Sequence, residues 1–525
     1  MAEYLLGIDN GLTLSKAALF DRAGREVKVA SRKIEVQYPK PGYTERNMDT
    51  VWQTTAEAIR EVVEASGVDP NDILAIGNSA HGNGLYMLGR DDRPVRPSIA
   101  SMDGRAADIV DEWLRPGGVR DQAFPTILQT CWAAQPSVLL AWLKRHEPEN
   151  YHRIGKVMLC TDYIKWCLTG EHTTDYSIIS GSSLFDSARH SYSPDLLAIY
   201  GIPEMLPALP RPVWGHEIAG RVTPEAASLT GLAVGTPVAG GLFDIDAAAL
   251  GSGVINAGTL GIVAGTWSIN QVITAEPIID KRLFLCSLFA VPGMWLTLEA
   301  SATSATNLEW FVNNFCYEEK QEAKARGISV YEVCNEKVAS LPPGSVDIIF
   351  HPYLFGSDVQ ATARAGFYGL GAWHTKTHVL RALYEGVIYG HMHHIAKLRA
   401  AGAQMDVARI TGGGSHSHVW TQMFADALQL PIEVPDGAEV AARGVAMAAG
   451  IGVGVYRNHA DAVAQTVRLE RRHEPHPDTA AAYQARYAEY VNLLEAMKEP
   501  WNRLARLADS RWPIADSRWP VADSR

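Results

Sequence analysis

The sequence has few features of a secreted, zinc-stabilised or nucleic-acid-binding protein. Its six cysteines include no CxxC pair, which argues against a zinc ribbon and gives no sign of a disulfide framework. The 525 residues carry a net charge of −11, and no block of lysine and arginine is long enough to follow a phosphate backbone, so nucleic acid is not expected as a partner. Asp9 comes too early for the hydrophobic region of a signal peptide. A cytoplasmic protein with reduced thiols is therefore predicted.

Long uncharged stretches are also scarce, and only one of them, residues 247–275, is formally long enough to cross a bilayer. Five glycines interrupt this stretch, and it also contains Asn256 and Asn270. A membrane helix would have to bury these polar side chains in hydrocarbon. We therefore predict a buried helix followed by a turn and a strand, and no membrane partner.

What the sequence does contain is typical of a large globular α/β protein, because 47% of its residues are hydrophobic and 20% are charged. Residues 4–8 and 16–20 predict two strands joined by a tight turn. Helices are predicted over 48–66 and over 136–146, where a proline opens the first turn. Residues 260–273 repeat the strand-turn-strand pattern of the N-terminus. This weak internal duplication suggests two related α/β domains that face a cleft.

The N-terminal turn, residues 7–16, combines glycines, hydroxyls and one carboxylate between two strands. Such turns present backbone N–H groups that can hold a phosphate. Asp9 suits a Mg²⁺ ion held through water, and Thr13 or Ser15 suits a phosphate oxygen. Because a glycine hairpin in any sheet has similar residues, this turn alone leaves a purely structural role open. We call residues 7–16 the first turn.

Two further glycine-containing segments have the same character. The second turn, residues 265–268, offers an N–H and hydroxyl pair at Gly265 and Thr266. The glycine loop consists of Gly412, Gly413, Gly414 and Ser415, and it lies between a predicted strand and a predicted helix. Backbone without side chains can lie flat there against a planar ring or a phosphate. The glycine loop does not match the GxGxxG pattern. A dinucleotide-binding fold would also have a glycine loop near the N-terminus, followed about 20 residues later by an acidic residue, and this sequence lacks that arrangement, so such a fold is not indicated.

Two polar residues follow predicted buried strands directly. Asp244 stands where a strand turns into an alanine-rich helix, so its carboxylate could take a proton from an attacking hydroxyl, or could simply cap the helix. His81 also comes just after a strand, where the cleft residues of α/β domains arise, and could hydrogen-bond a polyol.

Taken together in this order, these segments resemble the FGGY family of carbohydrate kinases over about residues 4–455. Further similar stretches are residues 161–170, 174–186, and 352–354 with 365–370. The resemblance implies an α/β protein with two ribonuclease H-like (actin-like) domains around a central catalytic cleft. We expect an N-terminal domain over 1–246 with the sugar site and part of the phosphate site, a C-terminal nucleotide domain over 247–500, and a repetitive tail over 501–525.

The resemblance also implies roles for the candidate residues, with ATP as co-substrate and Mg²⁺ as its companion ion. The roles are Mg²⁺ binding by Asp9, contact with the γ-phosphate by Thr13, phosphate lining by Gly265 and Thr266, adenosine binding by Gly412 to Ser415, general-base catalysis by Asp244, and sugar binding by His81, Asp103 and Trp132. Whether Thr13 or Ser15 supplies the hydroxyl stays open.

Within the family, residues 240–244, 300–311 and 384–387 resemble kinases of L-xylulose. Kinases of D-xylulose usually have Met-His and Asp-Asn where this chain has Ala80-His81 and Asp244-Ile245. The expected reaction is therefore the phosphorylation of L-xylulose to L-xylulose 5-phosphate. Alternatives are a polyol kinase for erythritol or xylitol, a non-catalytic sugar or nucleotide sensor, and an actin-like ATPase. A homodimer is expected by analogy.

Overall fold

Two seven-stranded sheets organise the part of the chain that the computed structural model describes, residues 3–357 and 359–509. The strands of the first half are β1 (Tyr4–Asn10), β2 (Leu14–Asp21), β3 (Glu26–Lys33), β4 (Glu45–Arg46), β5 (Ile73–Ala80), β6 (Tyr86–Gly89), β7 (Ser98–Ile99), β8 (Ile154–Met158), β9 (Thr173–Asp175), β10 (Phe185–Asp186), β11 (Ser191–Tyr192), β12 (Arg211–Val213), β13 (Ile218–Arg221), β14 (Pro237–Ala239) and β15 (Leu242–Phe243). Its helices are α1 (Met48–Ser66), α2 (Ala107–Trp113), α3 (Val119–Ile127), α4 (Pro136–His146), α5 (Pro148–Arg153), α6 (Cys160–Thr169), α7 (Tyr176–Ser180), α8 (Pro194–Ile199) and α9 (Pro224–Thr230).

The second half begins with the helix that carries Asp244. Its strands are β16 (Gly258–Ala264), β17 (Ser268–Thr274), β18 (Leu285–Leu288), β19 (Trp295–Ser301), β20 (Ile349–His351), β21 (Gly366–Tyr368), β22 (Met405–Thr411), β23 (Ile432–Pro435) and β24 (Leu469–His473). Its helices are α10 (Asp244–Gly251), α11 (Thr306–Phe315), α12 (Tyr317–Arg326), α13 (Val330–Ala339), α14 (Lys376–Ala400), α15 (His418–Leu428), α16 (Val440–Gly452), α17 (His459–Thr466) and α18 (Ala480–Asp509).

The two sheets share one topology. The first contains the order β3-β2-β1-β5-β14, and the second contains β19-β17-β16-β22-β23. In each, three antiparallel strands are followed by two parallel ones. The internal duplication suggested by the two strand-turn-strand patterns is thus confirmed, and it gives two α/β units of the same build.

Local sequence explains why the predicted helices begin and end where they do. In α1, the Asn47 side chain accepts a hydrogen bond of 3.0 Å from the Thr50 N–H, and Gly67 ends the helix with a φ of 69°. Apolar residues of α1, including Val51 and Ile59, are buried in the core of the first sheet. Pro136 opens α4, as predicted, because its missing N–H has no partner in a first helical turn.

Helices α10 and α16 pack between the two halves. Helix α16 lies on β1 and β5 of the first sheet and also packs along α10. These contacts require bare backbone, since a Cβ on Gly7 would lie 1.9 Å from the Ala442 carbonyl oxygen, and a Cβ on Gly444 would lie 1.9 Å from the Ala247 carbonyl oxygen. The position of α10, and with it of Asp244, therefore depends on this close crossing.

Residues 247–275 fold as predicted, into the rest of α10 followed by β16 and β17. Among residues 3–357 and 359–509, no helix is both long and apolar enough to cross a membrane. The expected tail over 501–525 is described only to residue 509, and this part continues α18, with Trp501 buried against His351 and Tyr353. Residues 510–525, which hold most of the repeat, lie outside the described residues.

Candidate active site

Three candidate residues lie at one edge of the first sheet. Strands β1 and β15 both pair in parallel with β5, so that Asn10 and Phe243 flank Ala80. Asp9 is therefore at the end of β1, His81 directly follows β5, and Asp244 directly follows β15. The carboxyl ends of parallel strands form the usual ligand crevice of an open α/β sheet. Residues separated by more than 160 positions are thus brought to one place.

Asp9 and Asp244 form a pair of interacting carboxylates in this crevice. The Asp9 carboxylate accepts a hydrogen bond of 2.9 Å from the Ser79 hydroxyl, and Asp244 accepts one of 2.8 Å from the Ile245 N–H at the start of α10. Burial, and next the negative charge of Asp9, raise the pKa of Asp244 to about 8. Burial also raises the pKa of Asp9, which the charge of Lys16 partly offsets.

This pair fits a divalent cation that arrives with a nucleotide. Mg²⁺ is usually held by one or two carboxylates, water and substrate phosphates rather than by a full protein cage. The described residues contain no group of three or more histidine, cysteine, aspartate or glutamate side chains suited to a metal. A bound cation would neutralise the charge of Asp9 and favour the ionised form of Asp244.

A pH dependence follows from the repulsion between the two carboxylates. Without metal, the carboxyl group of Asp244 should titrate near pH 8, so it gains its negative charge as the pH rises through that value. The Asp9→Asn variant removes the neighbouring charge and should move the titration of Asp244 to lower pH, as should Mg²⁺. Carbon NMR of labelled aspartate carboxyl groups measures this, with the Asp244→Asn variant for assignment. A titration of Asp244 near pH 4 in metal-free protein would contradict the expectation.

The first turn separates the roles of its two hydroxyls. Thr13 is exposed at the tip, between the end of β1 and the start of β2. Ser15 is fully buried, and its hydroxyl donates a hydrogen bond of 3.1 Å to Thr55, which in turn donates one of 2.9 Å to Asn10. Of the two candidates, Thr13 is therefore placed to meet a ligand, and Ser15 joins the turn to α1.

Matched substitutions test this division. If Thr13 binds a phosphate oxygen of ATP, Thr13→Val is expected to raise the KM for ATP or lower kcat by about tenfold, because a hydrogen bond to a charged group would be lost. Ser15→Ala is expected to leave both kinetic constants near wild type and to lower the free energy of unfolding by about 1 kcal/mol. Steady-state kinetics and urea denaturation measure the two effects. The reverse pattern would assign the phosphate contact to Ser15.

The second turn and the glycine loop lie against each other at the matching edge of the second sheet. Strands β16 and β22 are parallel, with Val263 beside Thr411. Gly412 has a φ of 86°, and a Cβ there would lie 2.9 Å from the Ala264 carbonyl carbon. Thr266 is exposed, and a Cβ on Gly413 would meet nothing within 4 Å. The two segments thus form a continuous surface of bare backbone and hydroxyls.

The N-terminus of α15 completes this surface. Ser415 folds back, with its hydroxyl donating a hydrogen bond of 2.7 Å to the Gly412 carbonyl, and the Ser417 hydroxyl accepts one of 3.0 Å from the Trp420 N–H. These bonds place the glycine loop at a helix N-terminus, where the helix dipole favours an anion. The arrangement suits a nucleotide, with phosphate towards the turns and a planar base against the glycines.

The sugar-side candidates occupy different surroundings. The Asp103 carboxylate is buried and accepts hydrogen bonds from the Thr44 N–H at 2.6 Å and from Arg105 at 2.8 Å. It is therefore engaged in holding a loop in this conformation. Trp132 is half-buried, with its ring centroid 5.9 Å from that of Phe284 in the second half of the chain, so it stands where the two halves meet.

Sequence reasoning missed two cations beside this crevice. Lys16 pairs with Asp9 in the hairpin register, and its ammonium group forms a 2.9 Å ion pair with Glu439, the residue before α16. The predicted hairpin could have identified Lys16, because the pairing places it opposite Asp9. The second cation, Arg46, is fully buried against His81. No local pattern signals Arg46, which lies 35 residues away from His81 in the chain.

Comparisons with known proteins agree with this geometry. The model described as the FGGY family of carbohydrate kinases, N-terminal domain, matches residues 4–251, and its C-terminal domain counterpart matches residues 260–453. The chain is 39% identical to the L-xylulose/3-keto-L-gulonate kinase of Escherichia coli K12, over 95% of this chain and 98% of that protein. It is 40% identical to a probable L-xylulose kinase of Pasteurella multocida, over 94% and 99% of the two chains. A xylulose kinase structure from Rhodospirillum rubrum superposes with a TM-score of 0.85 at 29% identity, covering 95% and 100%.

Proposed function

This chain belongs to the FGGY family of carbohydrate kinases, and from that premise we propose that it transfers the γ-phosphoryl group of ATP to the terminal hydroxyl of L-xylulose, giving ADP and L-xylulose 5-phosphate. The observation that carries the proposal is the placement of Asp244, whose raised pKa suits a general base, at the strand edge that also holds the first turn. The names of two relatives at 39% and 40% identity support the choice of sugar.

In the proposed mechanism, Asp244 accepts the proton of the terminal hydroxyl of the sugar. The oxygen of that hydroxyl attacks the γ-phosphorus at the same time. The new oxygen–phosphorus bond forms while the bond to the β-phosphate oxygen breaks, and ADP leaves. A base with a pKa of about 8 is well matched to a hydroxyl that loses its proton only in the transition state. The hydroxyl of Thr13 and the exposed second turn would donate to the phosphate oxygens and keep the three reacting atoms in line.

The companion ion also has a proposed place. Asp9 would hold Mg²⁺ through water, and the ion would supply positive charge to the β- and γ-phosphates of ATP. His81, with Trp132 as a wall, would contact the sugar, and Asp103 would support that pocket through Arg105. Closure of the two halves about α10 and α16 would exclude water and so limit wasteful hydrolysis of ATP.

A panel of acceptors tests the proposal. ADP release with Mg-ATP is measured for L-xylulose, D-xylulose, L- and D-ribulose, 3-keto-L-gulonate, erythritol, xylitol and glycerol. The highest kcat/KM is expected with L-xylulose. A highest value with erythritol or xylitol would select the polyol kinase instead. Binding of sugar and ATP without turnover would select the sensor, and equal ADP release with and without sugar would select the ATPase.

Two further expectations remain predictions. A homodimer is proposed by analogy with similar kinases, and sedimentation velocity tests it. A cytoplasmic location is proposed because the chain carries six free thiols. Five of them are buried, including Cys160 and Cys334. Fractionation of cells that express the tagged protein tests the location.

A further inference from the structure

Arg46 is a buried cation whose partners are all neutral. Its side chain is fully buried beneath the first turn. One guanidinium nitrogen, Nη1, donates to the carbonyl oxygens of Gly11 and Leu12, both at 3.0 Å. The other, Nη2, contacts Nε2 of His81, the Tyr86 hydroxyl and, at 3.3 Å, the Cys160 sulfur. A single side chain therefore touches both the proposed phosphate turn and the proposed sugar pocket.

Stability alone does not explain this arrangement. A buried charge is costly unless a counter-charge compensates it, and burial raises the pKa of both Tyr86 and Cys160, so these two groups are uncharged at neutral pH. The adjacent carboxylate, Glu45, is committed to Arg105 at 2.7 Å and to Arg96. A neutral residue at position 46 would remove that cost, so a positioning role in the site is the simpler explanation.

The contacts of Arg46 determine how the first turn presents its N–H groups. In a trans peptide the carbonyl and the following N–H point in opposite directions. Because Nη1 holds the carbonyls of Gly11 and Leu12 towards the buried guanidinium, the N–H groups of Leu12 and Thr13 point away from it. These N–H groups belong to the segment whose exposed tip is Thr13, so they face the side on which a phosphate would bind.

The same guanidinium determines the tautomer of His81. Arginine can only donate, so Nε2 of His81 accepts and the proton resides on Nδ1, which lies 3.2 Å from the Gly82 carbonyl. Burial, and next the charge of Arg46, lower the pKa of His81 to about 3. His81 is then a neutral ring of defined tautomer.

We propose that Arg46 is a positioning residue for phosphoryl transfer: it directs the N–H groups of the first turn towards the γ-phosphate and holds His81 in the Nδ1-protonated form at the sugar pocket. The inference rests on the proposed function, which identifies the bound phosphate as the γ-phosphate of ATP. It links the two substrate sites through one side chain. The sequence pattern alone gives no sign that Gly11 and His81 contact the same side chain.

The first part of the test is the spectrum of His81 in the wild-type protein. Nitrogen NMR of ¹⁵N-histidine-labelled protein, with His81→Gln for assignment, distinguishes the two tautomers and follows titration. We expect an Nδ1–H tautomer that does not titrate between pH 5 and 8. An Nε2–H tautomer, or a pKa near the ordinary value of about 6.5, overturns the inference whether or not the protein is active.

The second part is kinetic. Arg46→Met should lower kcat by about 100-fold, the loss typical of misplacing a transition-state donor, and should let His81 sample both tautomers. Arg46→Lys keeps the positive charge, but its single nitrogen cannot reach both the carbonyls of the first turn and His81. This variant should therefore lower kcat by about tenfold. The matched control is Arg381→Met, which breaks a buried 2.8 Å ion pair with Glu385 in the second half and should lower Tm without affecting kcat or the His81 spectrum.

Each outcome is decisive. A folded Arg46→Met protein with wild-type kcat overturns the inference. If Arg46→Met does not fold, Arg46→Lys and the wild-type histidine spectrum decide. If the wild-type protein phosphorylates no acceptor, the proposed function fails separately, and the inference is then judged on the His81 tautomer and on ATP affinity measured by calorimetry, which should fall in Arg46→Met and not in Arg381→Met.

Discussion

Asp244→Asn is expected to lower kcat for sugar phosphorylation by about 10²–10⁴-fold while leaving the affinity for ATP nearly unchanged. The amide cannot accept the proton of the attacking hydroxyl, yet it keeps the shape of the carboxylate and can still accept the Ile245 N–H that Asp244 holds at 2.8 Å. A coupled assay of ADP release gives kcat, and calorimetry gives the affinity for ATP.

A neighbouring aspartate provides the control for this substitution. Asp246 lies two residues further along α10 on a different face, is fully buried, and accepts a 3.0 Å hydrogen bond from the Ala290 N–H. Burial raises its pKa well above the ordinary range, which favours the neutral carboxylic acid that asparagine resembles. Asp246→Asn should therefore retain near-wild-type kcat. Similar turnover in Asp244→Asn and Asp246→Asn would remove Asp244 from the mechanism.

Gly444→Ala is expected to destabilise the protein by about 3 kcal/mol and to reduce activity as well. In an isolated helix, alanine is favoured over glycine by about 1 kcal/mol, so helix propensity predicts the opposite sign. The structure reverses the sign because the new Cβ would lie 1.9 Å from the Ala247 carbonyl oxygen of α10. Moving α10 moves Asp244, its first residue. Urea denaturation and kcat measure the two effects together.

Gly390→Ala is the matched substitution in α14. There a Cβ would meet the Pro352 ring at 3.5 Å, which is ordinary van der Waals contact. The same chemical change should therefore be neutral or stabilising by up to about 1 kcal/mol, with kcat unchanged. If Gly444→Ala behaved like Gly390→Ala, the close crossing of α10 and α16 would not determine the position of the catalytic carboxylate.

Local patterns were enough to predict much of the fold. The N-terminal hairpin, the helices α1 and α4, and the helix and strands of residues 247–275 are confirmed. Each of these elements depends on residues that are close together in the chain. Caps such as Asn47 and an opening proline such as Pro136 act locally, so the sequence carries their signal directly. The repeated strand-turn-strand pattern predicted the duplicated sheet for the same reason.

The site could be predicted only in part, because its contacts are long-range. The choice between Thr13 and Ser15 depends on where β1 ends and β2 begins, since side chains alternate between the two faces of a strand. The engagement of Asp103 by the Thr44 N–H joins residues 59 positions apart. The burial of Arg46 against His81 arises only when β4 and β5 are assembled. The last two contacts leave no pattern in the local sequence.

Phosphorus NMR of a mixture of the protein, Mg-ATP and L-xylulose tests the central claim most directly. The proposed transfer to the C5 hydroxyl predicts a new phosphomonoester signal, split into a triplet by the two C5 methylene protons, together with the signals of ADP. A proton–phosphorus correlation to the C5 protons distinguishes this ester from one at C1, which would also give a triplet. The signal should be absent with Asp244→Asn. Inorganic phosphate as the only new product, or a phosphomonoester doublet from a secondary hydroxyl, would contradict it.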